Sequence, residues 1–283
     1  MITAPVNKII DCSVVDGPGN TTAIFFQGCN FNCIYCHNPE TINICRNCGS
    51  CASSCPTGAI STTPGEKEAL WNESLCAGCD NCIKVCPHGS SPKIRNISVD
   101  EAVLRVAGNI PFIRGVTCSG GECTLQKEFI VPFFERVRAL GLRTLLDSNG
   151  SLDFSLEPEL MAVTDGVMLD VKSADPLIHL SLTGMSNSIV LKNIDFLAEQ
   201  QKLIELRIVV ADEPGFHSRE TVDAVSRRLQ ASPNGRDAHF RIIAFRPFGV
   251  RKQFQSISPP SPRLLRELER IARGNGMKYV SIT

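Results

Sequence analysis

Apolar and polar positions along this chain switch repeatedly between two periods. Short apolar runs of strand character occupy residues 21–27, 115–118, 143–146, 166–169, 203–210, 239–245 and 277–282. Stretches 98–107, 127–140, 188–200, 218–230 and 261–273 repeat apolar residues every three or four positions, which predicts amphipathic helices. Asp, Ser or Glu near their starts are fitting caps. Strand–helix repetition predicts a parallel sheet, and about six such units favour an α/β fold closing into a partial barrel of the (β/α)6 type over a flat, doubly wound sheet. Cys29, Gly120, Gly121, Glu122, Asp147, Ser148, Asn149, Asp170 and Lys172 each come just after a predicted strand. Parallel β/α folds place their sites at the C-terminal ends of strands, so these residues are expected to face one cleft.

The periodicity fails over residues 41–92, where Cys, Pro, Gly, Asn and Ser dominate. A stretch of this make-up cannot build much apolar core, so something else must hold it together. Residues 1–40 and 93–283 therefore read as one domain and 41–92 as an insertion. Among the 283 residues, Lys plus Arg and Asp plus Glu number 29 each. That balance gives no basic field for nucleic acid. No apolar run is long enough for a bilayer, and residues 1–16 lack the regions of a signal peptide, so a cytoplasmic location is expected.

Cysteine changes the picture. Of 14 cysteines, 11 lie between Cys29 and Cys86 in three tight sets, a clustering that points to metal rather than disulfides. The first set is Cys29-x3-Cys33-x2-Cys36. Three thiolates on a four-iron cluster leave one iron open, as catalysis at a metal requires; a zinc knuckle completed by His37 is the alternative. The second and third sets are near-repeats, Cys45-x2-Cys48-x2-Cys51-x3-Cys55-Pro56 and Cys76-x2-Cys79-x2-Cys82-x3-Cys86-Pro87. This is the bacterial ferredoxin run, in which the fourth cysteine ligates the other cluster. One 4Fe-4S cluster is thus assigned to Cys45, Cys48, Cys51 and Cys86, the other to Cys76, Cys79, Cys82 and Cys55. Structural zinc favours C-x2-C pairs with longer gaps. Cys12 and Cys118 read as small core residues. Cys123 is either core or, so close to the expected site, redox-active.

The run Cys29-Asn30-Phe31-Asn32-Cys33-Ile34-Tyr35-Cys36-His37-Asn38 resembles the signature of radical S-adenosylmethionine enzymes, specifically the glycyl radical enzyme activating enzymes. Asp16-Gly17-Pro18-Gly19, Gly120-Gly121-Glu122, Asp147-Ser148-Asn149-Gly150, Met168-Leu169-Asp170-Val171-Lys172 and Arg207 resemble that family's motifs in the same order. The resemblance spans nearly the whole chain, the insertion included. It implies three 4Fe-4S clusters and S-adenosylmethionine, whose amino and carboxylate groups chelate the open iron. It implies cleavage to methionine and a 5′-deoxyadenosyl radical that removes a glycine Cα hydrogen from a partner glycyl radical enzyme. A flavodoxin or ferredoxin is the implied electron donor.

Individual residues have roles to match. Gly120 and Gly121 let backbone approach the methionine moiety, unless they only make a tight turn. Tyr35 could lie along the adenine or merely pack. Lys172 and Arg207 could neutralise the cofactor carboxylate. Asp147 and Asp170 end neighbouring strands, and like charges so close need a cation or donors between them. The resemblance implies a monovalent cation at Asp147, Ser148, Met168 and Asp170. Asp16 is expected at the partner's glycine loop. Where related chains often carry a histidine after the penultimate strand, this one has Arg246, which could stack on adenine. Two other functions remain open on sequence: a radical enzyme acting on a peptide or small metabolite, and a non-catalytic iron–sulfur electron carrier.

Overall fold

The computed structural model describes residues 2–62 and 69–283. Strands are β1 Thr3–Ser13, β2 Thr21–Phe26, β3 Ile60–Thr62, β4 Ala69–Trp71, β5 Arg95–Ser98, β6 Gly115–Gly120, β7 Arg143–Ser148, β8 Gly166–Asp170, β9 Leu203–Val210, β10 His239–Ala244 and β11 Tyr279–Ile282. Helices are α1 Asn81–Lys84, α2 Val99–Asn109, α3 Lys127–Ala139, α4 Pro158–Val163, α5 Pro176–Thr183, α6 Ser188–Glu199, α7 Ser218–Ala231 and α8 Pro262–Gly274. Local chemistry sets their starts. Ser98 and Glu101 form a reciprocal capping box on α2, Asp175 accepts from Leu177 and Ile178 at α5, and Ser261 accepts from Leu264 at α8.

Nine strands form one sheet in the order β11-β10-β9-β8-β7-β6-β2-β1-β5. From β2 to β11 all neighbours are parallel and follow chain order without reversal. With right-handed crossovers, an order that never reverses keeps every connecting helix on one face. The doubly wound alternative, which needs a reversal, is thereby excluded, and the favoured partial barrel stands. The sheet also curls. A flat sheet would hold β2 and β10 about 24 Å apart, at roughly 4.8 Å per strand. Yet His37, after β2, lies 3.0 Å by its Nε2 from the carbonyl of Arg246, after β10.

Alternation along β9 shows the two faces. Leu206, Ile208 and Val210 are buried beneath the helices, whereas Arg207 and Val209 line the concave cavity. The main core sits on the helical side. There Phe26 of β2 meets Phe129 of α3 edge-on at 5.7 Å, with Phe133 and Phe134 behind.

Two strands depart from the parallel pattern. β1 is antiparallel to β2, and β5 is antiparallel to β1 at the sheet edge. β1 escapes a period-two reading because its register slips between Val6 and Lys8 and again between Ile10 and Ser13. Cys12, expected in the core, is exposed; it lies in this irregular stretch, its thiol donating to the Phe112 carbonyl at 3.7 Å. Cys118 is fully buried, as expected.

Among its described residues, segment 41–92 carries the antiparallel pair β3–β4 and the single turn α1, around a small core of Cys51, Ile60 and Cys82 packed by Trp71 and Ile83. Its two ends meet where Asn43 bridges Ser90 and the Ser90 hydroxyl donates to the Asn43 carbonyl at 2.7 Å. Buried Gln27, just past β2, donates to the Glu40 and Asn43 carbonyls at 2.7 Å each. The root of the segment is thus tied to the strand that leads into Cys29.

Candidate radical site in the barrel mouth

A cavity of about 380 Å³ opens at the C-terminal ends of the parallel strands. Cys29, Cys33, Tyr35, Cys36, Gly120, Gly121, Asp147, Ser148, Asp170, Lys172 and Arg207 all border it, joined by Asp16, Asn149 and Arg246. Most of these residues converge because the parallel strands end at the same level; Asp16 reaches the cavity from the opposite side, in the β1–β2 turn beside the start of β2.

The cysteine loop is held from several sides. Gly28 and Cys29 donate their backbone N–H groups to Thr41 and Ile42, closing the loop on itself. Asn32 and Ile34 donate to the carbonyls of Thr183 and Leu182, the last turn of α5. Those carbonyls lack partners within the helix, so they are ready acceptors. Asn149 places its amide 3.7 Å from the Cys29 sulfur and 3.1 Å from Asn30 Oδ1. Burial pushes the Cys29 thiol up to about 12 and the Cys33 thiol to about 11, and it raises Cys36 as well. Thiols this reluctant to ionise would lose their protons to solvent only as a metal centre binds and takes the thiolates as ligands.

Glu122 corrects one expectation. It does not reach the cavity. Its side chain is buried and accepts from Thr124 N at 3.1 Å, Ser148 Oγ at 2.8 Å and Asn149 N at 2.7 Å. It positions Asn149, which in turn touches Cys29. The two glycines before it are constrained by the protein's own backbone rather than only by a ligand. A Cβ on Gly120 would fall 2.1 Å from Phe26 N, and one on Gly121 would fall 2.1 Å from the Gly28 carbonyl oxygen. Gly121→Ala is therefore expected to cost roughly 3 kcal/mol by forcing backbone apart, measurable as a lower denaturant midpoint at unchanged slope.

Tyr35 takes the packing alternative while still bordering the cavity. Its ring is 2 % exposed and packs on Phe216 at 5.2 Å, within a satellite core of Leu182, Ala211, Phe245 and Val250. It touches the cavity as a packed core aromatic, not as a free stacking platform. Its buried hydroxyl has no hydrogen-bond partner among the described residues, and Lys172 Nζ sits 5.8 Å from the ring centre. His37, the alternative fourth zinc ligand, is engaged by the Arg246 carbonyl and stacks on Phe245. Cys123 is buried, and its thiol donates to the Asp147 carbonyl at 3.3 Å. Burial pushes that thiol well above its usual range, which argues against redox reactivity.

Charges in the cavity are matched. Arg207 bonds Asp147 Oδ1 at 2.8 Å and also holds Glu205, while Lys172 bonds Asp170 at 2.7 Å. Ser119 donates to the other Asp147 oxygen at 3.0 Å. Burial, with Asp170 close by, raises the Asp147 carboxyl against the pull of Arg207. Burial opposes the Arg207 charge too, but Asp147, Asp170 and Glu205 outweigh it and hold the guanidinium protonated. The electrostatic reason for a monovalent cation between the two aspartates thus falls away: each already has a cationic side chain. The sulfur of Met168, a residue also expected on that cation, accepts from Arg207 Nη2 at 3.0 Å.

Residues 23–224 match the Radical SAM superfamily. The chain is 30% identical over 259 residues to the isethionate sulfite-lyase activating enzyme of Desulfovibrio desulfuricans, covering 85% of this chain and 82% of that one. The chain belongs to the radical SAM superfamily, in its family of glycyl radical enzyme activating enzymes. A second member, the pyruvate formate-lyase 1-activating enzyme of Escherichia coli, is 30% identical over 214 residues, covering 75% of this chain and 68% of that one. Among solved structures, QueE from Escherichia coli superimposes with a TM-score of 0.55 over 100% of this chain and 95% of that one, at 15% identity, a likeness of fold.

Membership of the superfamily brings a 4Fe-4S cluster and S-adenosylmethionine, and the residues fit both. Three thiols share one wall of the cavity, and a buried tyrosine hydroxyl there lacks a partner. Three carboxylates (Asp16, Asp147, Asp170) face three cations (Lys172, Arg207, Arg246), a balanced lining suited to a zwitterion. No three His, Cys, Asp or Glu side chains among the described residues converge tightly enough for a single metal ion.

Behind the cysteine loop, His179 of α5 is fully buried, edge-on to Phe31 at 5.5 Å, with Nδ1 3.3 Å from the Ser173 carbonyl. Burial lowers its pKa to about 4. The unfolded chain takes up this proton below about 6.5 and the folded one only near 4, so stability is full above 6.5 and falls as the pH drops between those values. The loss is roughly 3 kcal/mol at pH 4. Urea unfolding from pH 7 to pH 4 should show the decline, and His179→Gln should flatten it.

No helix of the described residues is long and apolar enough to cross a membrane.

Proposed function

We propose that the protein activates a glycyl radical enzyme. In this reading Cys29, Cys33 and Cys36 hold the site cluster, with Tyr35, Gly120, Gly121, Asp147, Ser148, Asp170, Lys172 and Arg207 around S-adenosylmethionine. The observation that carries the reading is a single cavity onto which three cysteines, the paired charges and Asp16 all open, in a chain whose relatives are named as activating enzymes. When bound, cluster and cofactor supply a 5′-deoxyadenosyl radical. The protein's own residues do the rest. Lys172 and Arg207 present donors to the cofactor carboxylate, their aspartate partners fixing where those donors point. Asp16, held by Ser13 Oγ, borders the cavity from the β1–β2 turn, beside the starts of the parallel strands, and there meets the glycine segment that the partner must bring to the radical carbon.

The same proposal extends to segment 41–92. One small cavity there is bordered by Cys45, Cys48, Cys51 and Cys86, and another by Cys55, Cys76, Cys79 and Cys82. These are the two sets that the ferredoxin pattern assigns, with the fourth cysteine exchanged. Cys48 and Cys79 are exposed, which suits a module that receives electrons from a flavodoxin or ferredoxin and passes them inward.

The test is anaerobic reconstitution with S-adenosylmethionine, a strong reductant and each glycyl radical enzyme of the source organism. A stable glycyl radical on one partner, formed with stoichiometric 5′-deoxyadenosine, supports the proposal. Multiple turnover of a small metabolite or peptide, with no protein radical on any partner, overturns it.

A further inference from the structure

We infer that Arg251, in the connection between β10 and α8, is a positioning residue for the cysteine loop and tunes the reducibility of the site cluster. The inference rests on the reading that Cys29, Cys33 and Cys36 hold that cluster. Arg251 lies far from those residues in sequence. Its Nη1 donates to Asn32 Oδ1 at 2.6 Å, and its Nη2 donates to the Asn32 carbonyl at 3.1 Å and the Cys33 carbonyl at 2.9 Å. The Asn32 N–H meanwhile goes to Thr183 and that of Ile34 to Leu182. Segment 32–34 is therefore gripped on its donor side by α5 and on its acceptor side by one guanidinium, with Cys33 in the middle.

The fork is itself fixed. Val250 is buried beside Tyr35 in the satellite core, and the Arg251 guanidinium lies 5.1 Å from the Phe254 ring centre. A Cβ on Gly249 would come 3.0 Å from the His37 carbonyl oxygen, so the connection runs directly over the end of the loop. Among the described residues no carboxylate pairs with Arg251, and its Nε is buried without a partner. A cluster bound by three thiolates gains negative charge on reduction. An uncompensated guanidinium bonded to the backbone of one ligand favours that reduced state, while the planar fork restrains the loop.

The two effects separate by substitution. Arg251→Met removes charge and fork; Arg251→Lys keeps the charge and loses the fork. Full-length protein is reconstituted anaerobically, and the site cluster is identified as the electron paramagnetic resonance signal that responds to S-adenosylmethionine. Its midpoint potential is measured by redox titration, and its retention by iron loss to a chelator. Arg251→Met should lower the potential and shorten retention about tenfold. Arg251→Lys should restore the potential but not the retention. Hydrogen exchange should rise over residues 29–36 and stay unchanged in α8, separating a local effect from unfolding. Wild-type potential and retention in both variants overturn the inference. A wild-type protein with no signal responsive to S-adenosylmethionine instead overturns the cluster assignment beneath it.

Discussion

Replacing Cys33 with alanine is expected to abolish 5′-deoxyadenosine release, a loss of more than about a thousandfold. It should also abolish the glycyl radical on the partner. Cys33 is buried at the centre of the loop, with its carbonyl on Arg251 and its neighbours' N–H groups on α5. Two remaining thiols cannot retain a four-iron cluster in a mouth this open. The fold should survive, because the loop's backbone bonds do not involve the Cys33 sulfur. Chromatographic assay of 5′-deoxyadenosine, beside a thermal scan, checks both halves. A Cys79→Ala protein makes the contrast: with a strong chemical reductant it should still cleave the cofactor, since Cys79 lies in the separate cavity of segment 41–92.

Arg207→Met is the second large effect, and it falls on stability first. The guanidinium joins Asp147 on β7 to Glu205 on its own strand and touches Met168 on β8, with a side chain only 11% exposed. Glu205 would keep Arg241 at 3.0 Å, but Asp147 would keep only the Ser119 hydroxyl. Removing one member of a buried ion pair costs about 3–5 kcal/mol, because the remaining charge is left without compensation. The loss should shrink at low pH, where Asp147, already raised by burial, takes up a proton and needs no partner. Arg207→Lys should recover part of it, since an ammonium cannot serve Asp147 and Glu205 together as the fork does. Urea unfolding of the three proteins at pH 7 and pH 5 makes the comparison.

Much of this arrangement was legible in the sequence because its signals are local. Thiol spacing in each cysteine set, and the polar residue that ends each parallel strand, depend on neighbours within a few positions. That is why Asp147, Asp170 and Lys172 fall on one mouth by pattern alone, whereas Arg207, inside β9, is legible only through the family resemblance. The rest depends on pairings that local pattern does not carry. β1 hides its period behind two register slips. Glu122 follows two site glycines and is expected in the cleft, yet the turn aims its carboxylate down toward Ser148 and Asn149. Tyr35 sits between two candidate ligands, but Phe216 and Phe245, far along the chain, decide its packing. Arg251 carries no motif; its role exists only because the sheet curls and brings the end of β10 over the end of β2. The charge argument for a cation failed for the same reason: it counted Asp147 and Asp170 without seeing which cations the fold sets against them.

The central claim is that Cys29, Cys33 and Cys36 bind a four-iron cluster with one iron left for S-adenosylmethionine. Electron paramagnetic resonance of the reduced, oxygen-protected protein, recorded before and after adding the cofactor, tests it most directly. One signal is expected to change on addition and to be lost in Cys33→Ala, beside others that do not change. A spectrum indifferent to the cofactor, or zinc in place of iron at those three thiols, would contradict it.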